Sequence, residues 1–179
     1  VEILRALGAE VAQDAHRPDV YHVRAGSVAQ TMAPSNLVVQ LRGSFVVMGA
    51  LLARFGEAAC APPGGDVIGE RPLDVHLGGF AALGAEITRE NQRYVARAKR
   101  LHGARVFLDY PSVSGTQNVL LAATLAHGSS SIINAAAEPE IVSLANMLNA
   151  MGARIRAAGT HTIEIEGVDE LHGVSHRII

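Results

Sequence analysis

The eight residues from Phe80 to Ile87 read FAALGAEI, and two variants of this phrase occur elsewhere in the chain. LRALGAEV begins at Leu4, and LNAMGARI begins at Leu148. In each copy an apolar helix end runs into a glycine, and an alternating apolar and polar run follows. Glycine just after the last apolar helical position commonly ends a helix, and alternation indicates a strand. The repetition therefore predicts one supersecondary unit that is used several times.

The segments around these phrases also repeat. Ser44–Phe55 and Thr116–His127 are apolar nearly all round, which is typical of a buried helix. Ser114, with Gln117 three residues later, fits a capping box at the start of the second of these helices. Small-residue strands follow, EAACAP and SSIINAA, and then helices with proline in the first turn. We predict an α+β fold of βαβαββ units, each about 70 residues long, in about two and a half copies.

Composition excludes several classes of protein. The chain has 179 residues, 49% of them apolar, a net charge of −2 and no cluster of Lys or Arg. Nucleic acid is therefore not an expected partner. No apolar run reaches the roughly 18 residues of a membrane span and no signal peptide opens the chain, so we expect no membrane partner and a cytoplasmic location. The single cysteine, Cys60, is expected in the core of a small-residue strand.

Both ends of the chain fall inside predicted elements. The chain begins with VEILRALGAEV, which reads as a helix without a starting methionine, and it ends with SHRII, which reads as a strand. We therefore expect a fragment of a longer protein. Apolar surface left uncovered by missing strands could drive self-association of such a fragment.

An unusual loop, PPGGDVIGERP, runs from Pro62 to Pro72 between two apolar segments. Asp66 follows two glycines, and Arg71 stands where the next helix begins. A guanidinium group beside free helical N–H groups suits an anion such as a phosphate or carboxylate. From the residues alone, Asp66 as an Asx-turn residue and Arg71 as a solvated surface residue both stay open.

The longer segment PGGDVIGERPLDVHL resembles the loop-and-helix signature of the UDP-N-acetylglucosamine 1-carboxyvinyltransferases, an enolpyruvyl transferase family. The stretch that begins SGTQNVLLAATLAHG and the later GTHTIEIEGVDEL resemble the segments that follow in that family, in the same order. The resemblance implies two similar domains, each of three βαβαββ units packed as an inside-out α/β barrel with helices at its core. Residues 1–179 would form most of one domain, and the second domain would be absent from this chain.

The resemblance also implies a reaction. The enolpyruvyl group of phosphoenolpyruvate would move to a sugar hydroxyl of UDP-N-acetylglucosamine with release of phosphate, as the first committed step of peptidoglycan synthesis. The two substrates would be the partners, and neither a metal nor an organic cofactor is implied. Two alternatives remain: the related shikimate-pathway enolpyruvyl transferase, and a non-catalytic paralogue or isolated binding domain. The fragment alone is expected to be inactive, because the family's site lies between two domains.

Three side chains take roles in phosphoenolpyruvate chemistry by this resemblance. Arg42 and Arg71 match arginines at the phosphoenolpyruvate pocket, and Asp66 stands where most members have cysteine and a minority have aspartate. The reaction needs a proton on the methylene carbon, which a thiol with a pKa near ~8.5 carries at neutral pH and a free aspartate near ~3.9 does not. Asp66 could act as the acid only if burial or a nearby anion raised its pKa. A carboxylate is also a poor nucleophile toward the epoxide fosfomycin, so we expect insensitivity to that inhibitor.

Two further segments resemble the parts of the family that bind the nucleotide. The uridine site would be lined by Arg71, Pro72, Leu73, Asp74 and Val75, and the diphosphate would be held by Ser112, Val113 and Ser114. Ordinary helix starts would have similar residues. The chain departs from the family at Tyr110, usually lysine, at Ser114, commonly glycine, and at Ala137, commonly arginine. These departures bear on which acceptor is bound.

Other candidate sites are weaker. His172 and His176 have the spacing of metal ligands, but no third ligand accompanies them, and we expect both to be solvated. No phosphate-binding P-loop or dinucleotide fingerprint is present in the sequence.

Overall fold

The computed structural model of the protein describes residues 1–64 and 72–178. Two helices and two strands open the chain: α1 (Glu2–Ala6), β1 (Glu10–Gln13), β2 (Tyr21–Arg24) and α2 (Ser35–Val38). A 3-10 helix (Arg42–Val46) leads into α3 (Val47–Phe55), followed by β3 (Glu57–Cys60), α4 (Asp74–Ala82), β4 (Glu86–Glu90) and β5 (Arg93–Arg97). The last described elements are β6 (Arg105–Phe107), α5 (Val113–Thr124), β7 (Ser129–Ile133), α6 (Pro139–Ala150), β8 (Arg154–Arg156) and β9 (Thr162–Glu166).

The strands form sheets that repeat one topology. In one sheet the order is β3-β5-β4, and in another it is β6-β7-β9-β8. β6 runs parallel to β7, and the other pairs in these sheets are antiparallel. A parallel bridge joins Met32 to Ala59 on β3, where Met32 takes the place that β6 has beside β7. Two βαβαββ units are therefore present, and α1, β1 and β2 before them have the order of the last three elements of such a unit.

The three copies of the repeated phrase share one backbone structure. Gly8, Gly84 and Gly152 have φ angles of +103°, +94° and +107°, a left-handed region that residues with a Cβ rarely adopt. The amide of Ala85 donates to the Phe80 carbonyl at 3.0 Å, and the amide of Gly84 donates to the Ala81 carbonyl at 2.9 Å. This is the Schellman motif, which satisfies the last carbonyls of a helix and turns the chain into a strand. The glycine-based helix ends predicted from the sequence are confirmed.

Helix α5 lies at the centre of the core. Eight of its twelve residues are buried, including Val119, Leu120, Ala122 and Ala123. It packs on α3, α4 and α6 and on strands β7 and β9, so helices lie between the sheets. A helix that is apolar nearly all round requires such neighbours, because every face of it must leave water. The α+β fold class predicted from the sequence is confirmed.

Local boundaries differ from the predictions in four places. Helix α4, predicted to have Pro72 in its first turn, begins at Asp74 after the N-cap Leu73, so Pro72 lies outside it. The buried helix expected over residues 44–55 begins as a 3-10 turn and becomes α-helical only at Val47. The cap of α5 is Ser112, whose backbone is extended and whose Oγ accepts from the Gly115 amide at 3.2 Å, so the predicted cap at Ser114 is wrong. The strand predicted near the end of the chain is also absent from residues 171–178, where no described strand lies alongside to pair with it.

Cys60 lies on β3 with its side chain fully buried, as predicted. Burial raises the pKa of its thiol to about 12, so this group is not a nucleophile at neutral pH. Within residues 1–64 and 72–178, no helix combines the length and the apolar character that crossing a membrane requires.

Candidate functional site

The starts of α4 and α5 lie side by side. The Tyr110 hydroxyl, in the loop before α5, donates to Oδ1 of Asp74, the first residue of α4, at 2.7 Å. One turn into α5, a Cβ added to Gly115 would stand 2.8 Å from Val75 Cγ2, so the two helices are in direct contact there. The starts of two helices therefore lie next to each other, and helix starts favour anions.

A buried polar chain ties these helix starts to α3. Asn118 Oδ1 accepts from the Gly49 amide at 2.6 Å, and Asn118 Nδ2 donates to the Phe45 carbonyl at 3.0 Å. The same Nδ2 lies 2.9 Å from His76 Nδ1, and His76 Nε2 lies 3.4 Å from Ser114 Oγ. Asn118 and His76 are 0% and 1% exposed. Among residues 1–64 and 72–178, no buried side-chain nitrogen or oxygen lacks a hydrogen-bond partner, as stability in an apolar core requires.

Arg42 supplies positive charge to the same region. It opens the 3-10 helix that leads into α3, and its side chain is partly buried. The pKa of His76 is lowered to about 4, chiefly by burial and also by the Arg42 charge, while Asp74 opposes the change. Burial also raises the pKa of Tyr110 to about 12, helped by Asp74 and opposed by Arg42. Arg42, Asp74, His76 and Tyr110 thus lie within electrostatic reach of one another.

The remaining predicted site residues divide into two groups. Leu73 and Val75 are buried, so their side chains serve the core and only their backbone can meet a ligand. Pro72 and Asp74 are exposed, and Ser112, Val113 and Ser114 are partly buried at the start of α5. Asp66 and Arg71 lie outside the described residues. The structure therefore brings together Arg42, the start of α4 and the start of α5.

Two members of the polar chain were not singled out from the sequence. Asn118 is the one amide among the buried residues of α5, and His76 lies in an α4 that is otherwise almost wholly apolar. A polar side chain within such an apolar run was the available signal, since buried polar groups need specific partners. Periodicity does not show which partners those are.

The two histidines near the end of the chain, His172 and His176, are exposed, as predicted. In residues 1–64 and 72–178, no three His, Cys, Asp or Glu side chains are grouped as metal ligands.

We expect His76 to make the protein lose stability in mild acid. Its pKa of about 4 in the folded state lies below the ordinary 6.5, so its neutral form stabilises the fold fully above pH 6.5. Between pH 6.5 and 4 the unfolded chain binds the proton first, and stability falls by at most about 3 kcal/mol. Urea unfolding of wild-type and His76→Gln protein between pH 6.5 and 4 measures this loss of stability. The difference in the free energy of unfolding between wild type and His76→Gln should become smaller as the pH falls. A difference that does not change with pH would contradict the lowered pKa of His76.

Two comparisons with known proteins agree on the type of fold. The whole chain, residues 1–179, matches the family model described as EPSP synthase (3-phosphoshikimate 1-carboxyvinyltransferase). The enolpyruvyl transferase NikO from Streptomyces tendae superposes with a TM-score of 0.79 at 24% identity, over 96% of this chain and 40% of that chain. EPSP synthase from Acinetobacter baumannii superposes with a TM-score of 0.70 at 18% identity, over 96% of this chain and 39% of that chain. This chain thus spans about 40% of the length of these solved structures.

Proposed function

Since the chain belongs to the EPSP synthase family of enolpyruvyl transferases, we propose that the protein of which it is a part moves the enolpyruvyl group of phosphoenolpyruvate to a hydroxyl of a phosphorylated acceptor. UDP-N-acetylglucosamine is the first candidate acceptor, which would place the reaction at the start of peptidoglycan synthesis. The motif PGGDVIGERP supports that choice through its resemblance to the transferases that use this sugar nucleotide.

The observation that carries the proposal is the meeting of Arg42 with the starts of α4 and α5. Phosphoenolpyruvate and both candidate acceptors are anions, whereas the chain has a net charge of −2. Overall charge cannot attract them, so binding must come from a few placed groups. The planar guanidinium of Arg42 can bind a carboxylate or phosphate through two N–H groups, and backbone N–H groups at the helix starts add further donors. Arg71, with which α4 was predicted to begin, is proposed as the second guanidinium.

Shikimate 3-phosphate is the second candidate acceptor. The matching family model is named for the enzyme that uses it. Tyr110, where the transferases of the first candidate usually have a lysine, also favours a change of acceptor. Its hydroxyl is held by Asp74 at 2.7 Å and bears no positive charge at neutral pH, so it offers less to a diphosphate than an ammonium group would.

The deciding experiment is a transferase assay on the full-length protein. Phosphate release from phosphoenolpyruvate is followed with UDP-N-acetylglucosamine in one arm and shikimate 3-phosphate in the other. We expect release only with the true acceptor, and it should be lost when Arg42 is replaced by glutamine. Arg17→Gln is the matched control, because Arg17 is an exposed residue in the loop between β1 and β2 and pairs with Asp14. Release with neither acceptor would favour a non-catalytic paralogue.

We expect the enzyme to resist fosfomycin, and Asp66→Cys to make it sensitive. A thiolate opens the epoxide and forms a stable C–S bond, whereas a carboxylate is a far poorer nucleophile. Activity after incubation with fosfomycin, together with the mass of the intact protein, measures both outcomes. Rapid covalent labelling of the wild type at Asp66 would contradict the prediction.

A further inference from the structure

The polar chain from α3 to Ser114 has only one consistent arrangement of hydrogens. The Gly49 amide can only donate and the Phe45 carbonyl can only accept, so the Asn118 amide is oriented with Oδ1 toward Gly49 and Nδ2 toward Phe45. Nδ2 carries two hydrogens. One goes to Phe45, and the other points at His76 Nδ1, 2.9 Å away.

His76 Nδ1 must therefore accept, which decides the form of the ring. A neutral imidazole that accepts at Nδ1 carries its proton on Nε2. Protonation of Nδ1 would set two N–H groups against each other in a site that is 1% exposed. The edge-to-face contact of His76 with Phe45, at 5.3 Å between ring centroids, holds the ring in this orientation.

The direction of the Ser114 hydroxyl follows from the ring. The Nε2–H of His76 donates to Ser114 Oγ at 3.4 Å, so Oγ accepts on that side and its own hydrogen must point elsewhere. No other hydrogen-bond partner of Ser114 Oγ lies among residues 1–64 and 72–178. Ser114 is partly buried in the first turn of α5, beside Ser112 and close to Tyr110.

We propose that Asn118 and His76 are positioning residues that keep the Ser114 hydroxyl as a hydrogen-bond donor toward a phosphate oxygen of the acceptor. This rests on the proposed function and on the assignment of the start of α5 to the acceptor rather than to phosphoenolpyruvate. Ser114 thereby becomes a specificity residue. It adds a donor to the helix start, because the contact with His76 leaves the hydroxyl hydrogen for an acceptor atom of the ligand.

The first test measures the His76 ring without any ligand. Long-range ¹H–¹⁵N spectra of the full-length protein at neutral pH distinguish a protonated from an unprotonated ring nitrogen, and His76→Gln assigns the signals by their loss. We expect Nε2 protonated and Nδ1 bare. A proton on Nδ1, or on both nitrogens, would overturn the proposal whatever the activity of the protein.

The second test compares two substitutions of His76 that differ in which nitrogen they imitate. In His76→Asn the amide can still accept from Asn118 but cannot reach Ser114, whereas the longer His76→Gln side chain can place its N–H near Ser114. Dissociation constants are measured for UDP-N-acetylglucosamine and shikimate 3-phosphate. We expect Ser114→Ala and His76→Asn to raise the dissociation constant of the acceptor about 10-fold or more. His76→Gln should have a dissociation constant closer to that of the wild type. The KM for phosphoenolpyruvate should be unchanged in all three variants.

The outcomes separate the two proposals. Equal affinity in wild type, Ser114→Ala and His76→Asn would overturn the positioning role even if transfer is normal. Transfer to neither acceptor would contradict the proposed function, and the ring spectrum would still decide the hydrogen arrangement. His102→Asn, at an exposed histidine away from the chain of contacts, is the control for the substitution itself.

Discussion

Gly49→Ala is expected to destabilise the protein by at least about 3 kcal/mol. A Cβ at Gly49 would overlap the backbone carbonyl oxygen of Asn118 and stand 2.6 Å from its Oδ1. The obstacle is backbone at the centre of the core, so α3 and α5 must move apart, and the Gly49–Asn118 hydrogen bond is lost with the contact. Urea unfolding of the full-length protein measures the change in the free energy of unfolding.

Gly78→Ala is the matched control, since Gly78 also lies within a nine-residue helix. No atom lies within 4 Å of a Cβ added there. Alanine should stabilise α4 by about 0.5–1 kcal/mol, because glycine is the poorer helix former. In an Asn118→Ala background Gly49→Ala should still destabilise, because the carbonyl oxygen remains. Similar effects of Gly49→Ala and Gly78→Ala would show that α3 and α5 are not packed as closely as the structure has them.

Asp66→Asn is expected to lower kcat by roughly 10² to 10⁴-fold, the usual contribution of a general acid. Asparagine has the same shape but cannot deliver a proton to the methylene carbon of phosphoenolpyruvate. Acceptor affinity should change little, because the substitution removes a step of the reaction and leaves the proposed binding groups in place. Steady-state rates with saturating substrates and a separate binding titration of the acceptor measure the two quantities.

Two further variants make this result specific. Asp19→Asn removes another carboxyl group, in an exposed turn, and should leave kcat unchanged. Asp66→Cys should retain activity and extend it to higher pH, because a thiol keeps its proton to a pKa near ~8.5 whereas a carboxyl group loses its own earlier. If Asp66→Asn kept the wild-type kcat, Asp66 would not be the acid, and its role as a turn residue would be the better description.

Much of the architecture could be read from local patterns. The repeated phrase has Gly8, Gly84 and Gly152 at its fifth position. Each glycine ends a helix by taking the left-handed conformation, which depends only on the residue itself and its immediate neighbours. The apolar character of α5 on all sides likewise required neighbours on every side. Strand alternation then indicated the two strands that close each unit, so the βαβαββ order followed without knowledge of the packing.

Finer boundaries depended on competition between neighbouring residues. Ser112 and Ser114 are both serines near the start of α5, and either could cap it in sequence terms. The extended backbone of Ser112 lets its hydroxyl reach the Gly115 amide at 3.2 Å, so Ser114 falls inside the helix. That shift frees the Ser114 side chain to meet His76 instead of the backbone.

By itself, the sequence determined the repeated unit, the glycine-ended helices and the buried Cys60, because each depends on neighbours within a few residues. Only the tertiary structure decided that Asn118 joins the Phe45 carbonyl, the Gly49 amide and His76, and that Tyr110 meets Asp74. Those partners are 36 to 73 positions apart in the chain. Hydrogen bonds at such separations are fixed by how the helices pack, and the pattern of apolar residues specifies that helices pack without specifying which polar atoms then meet.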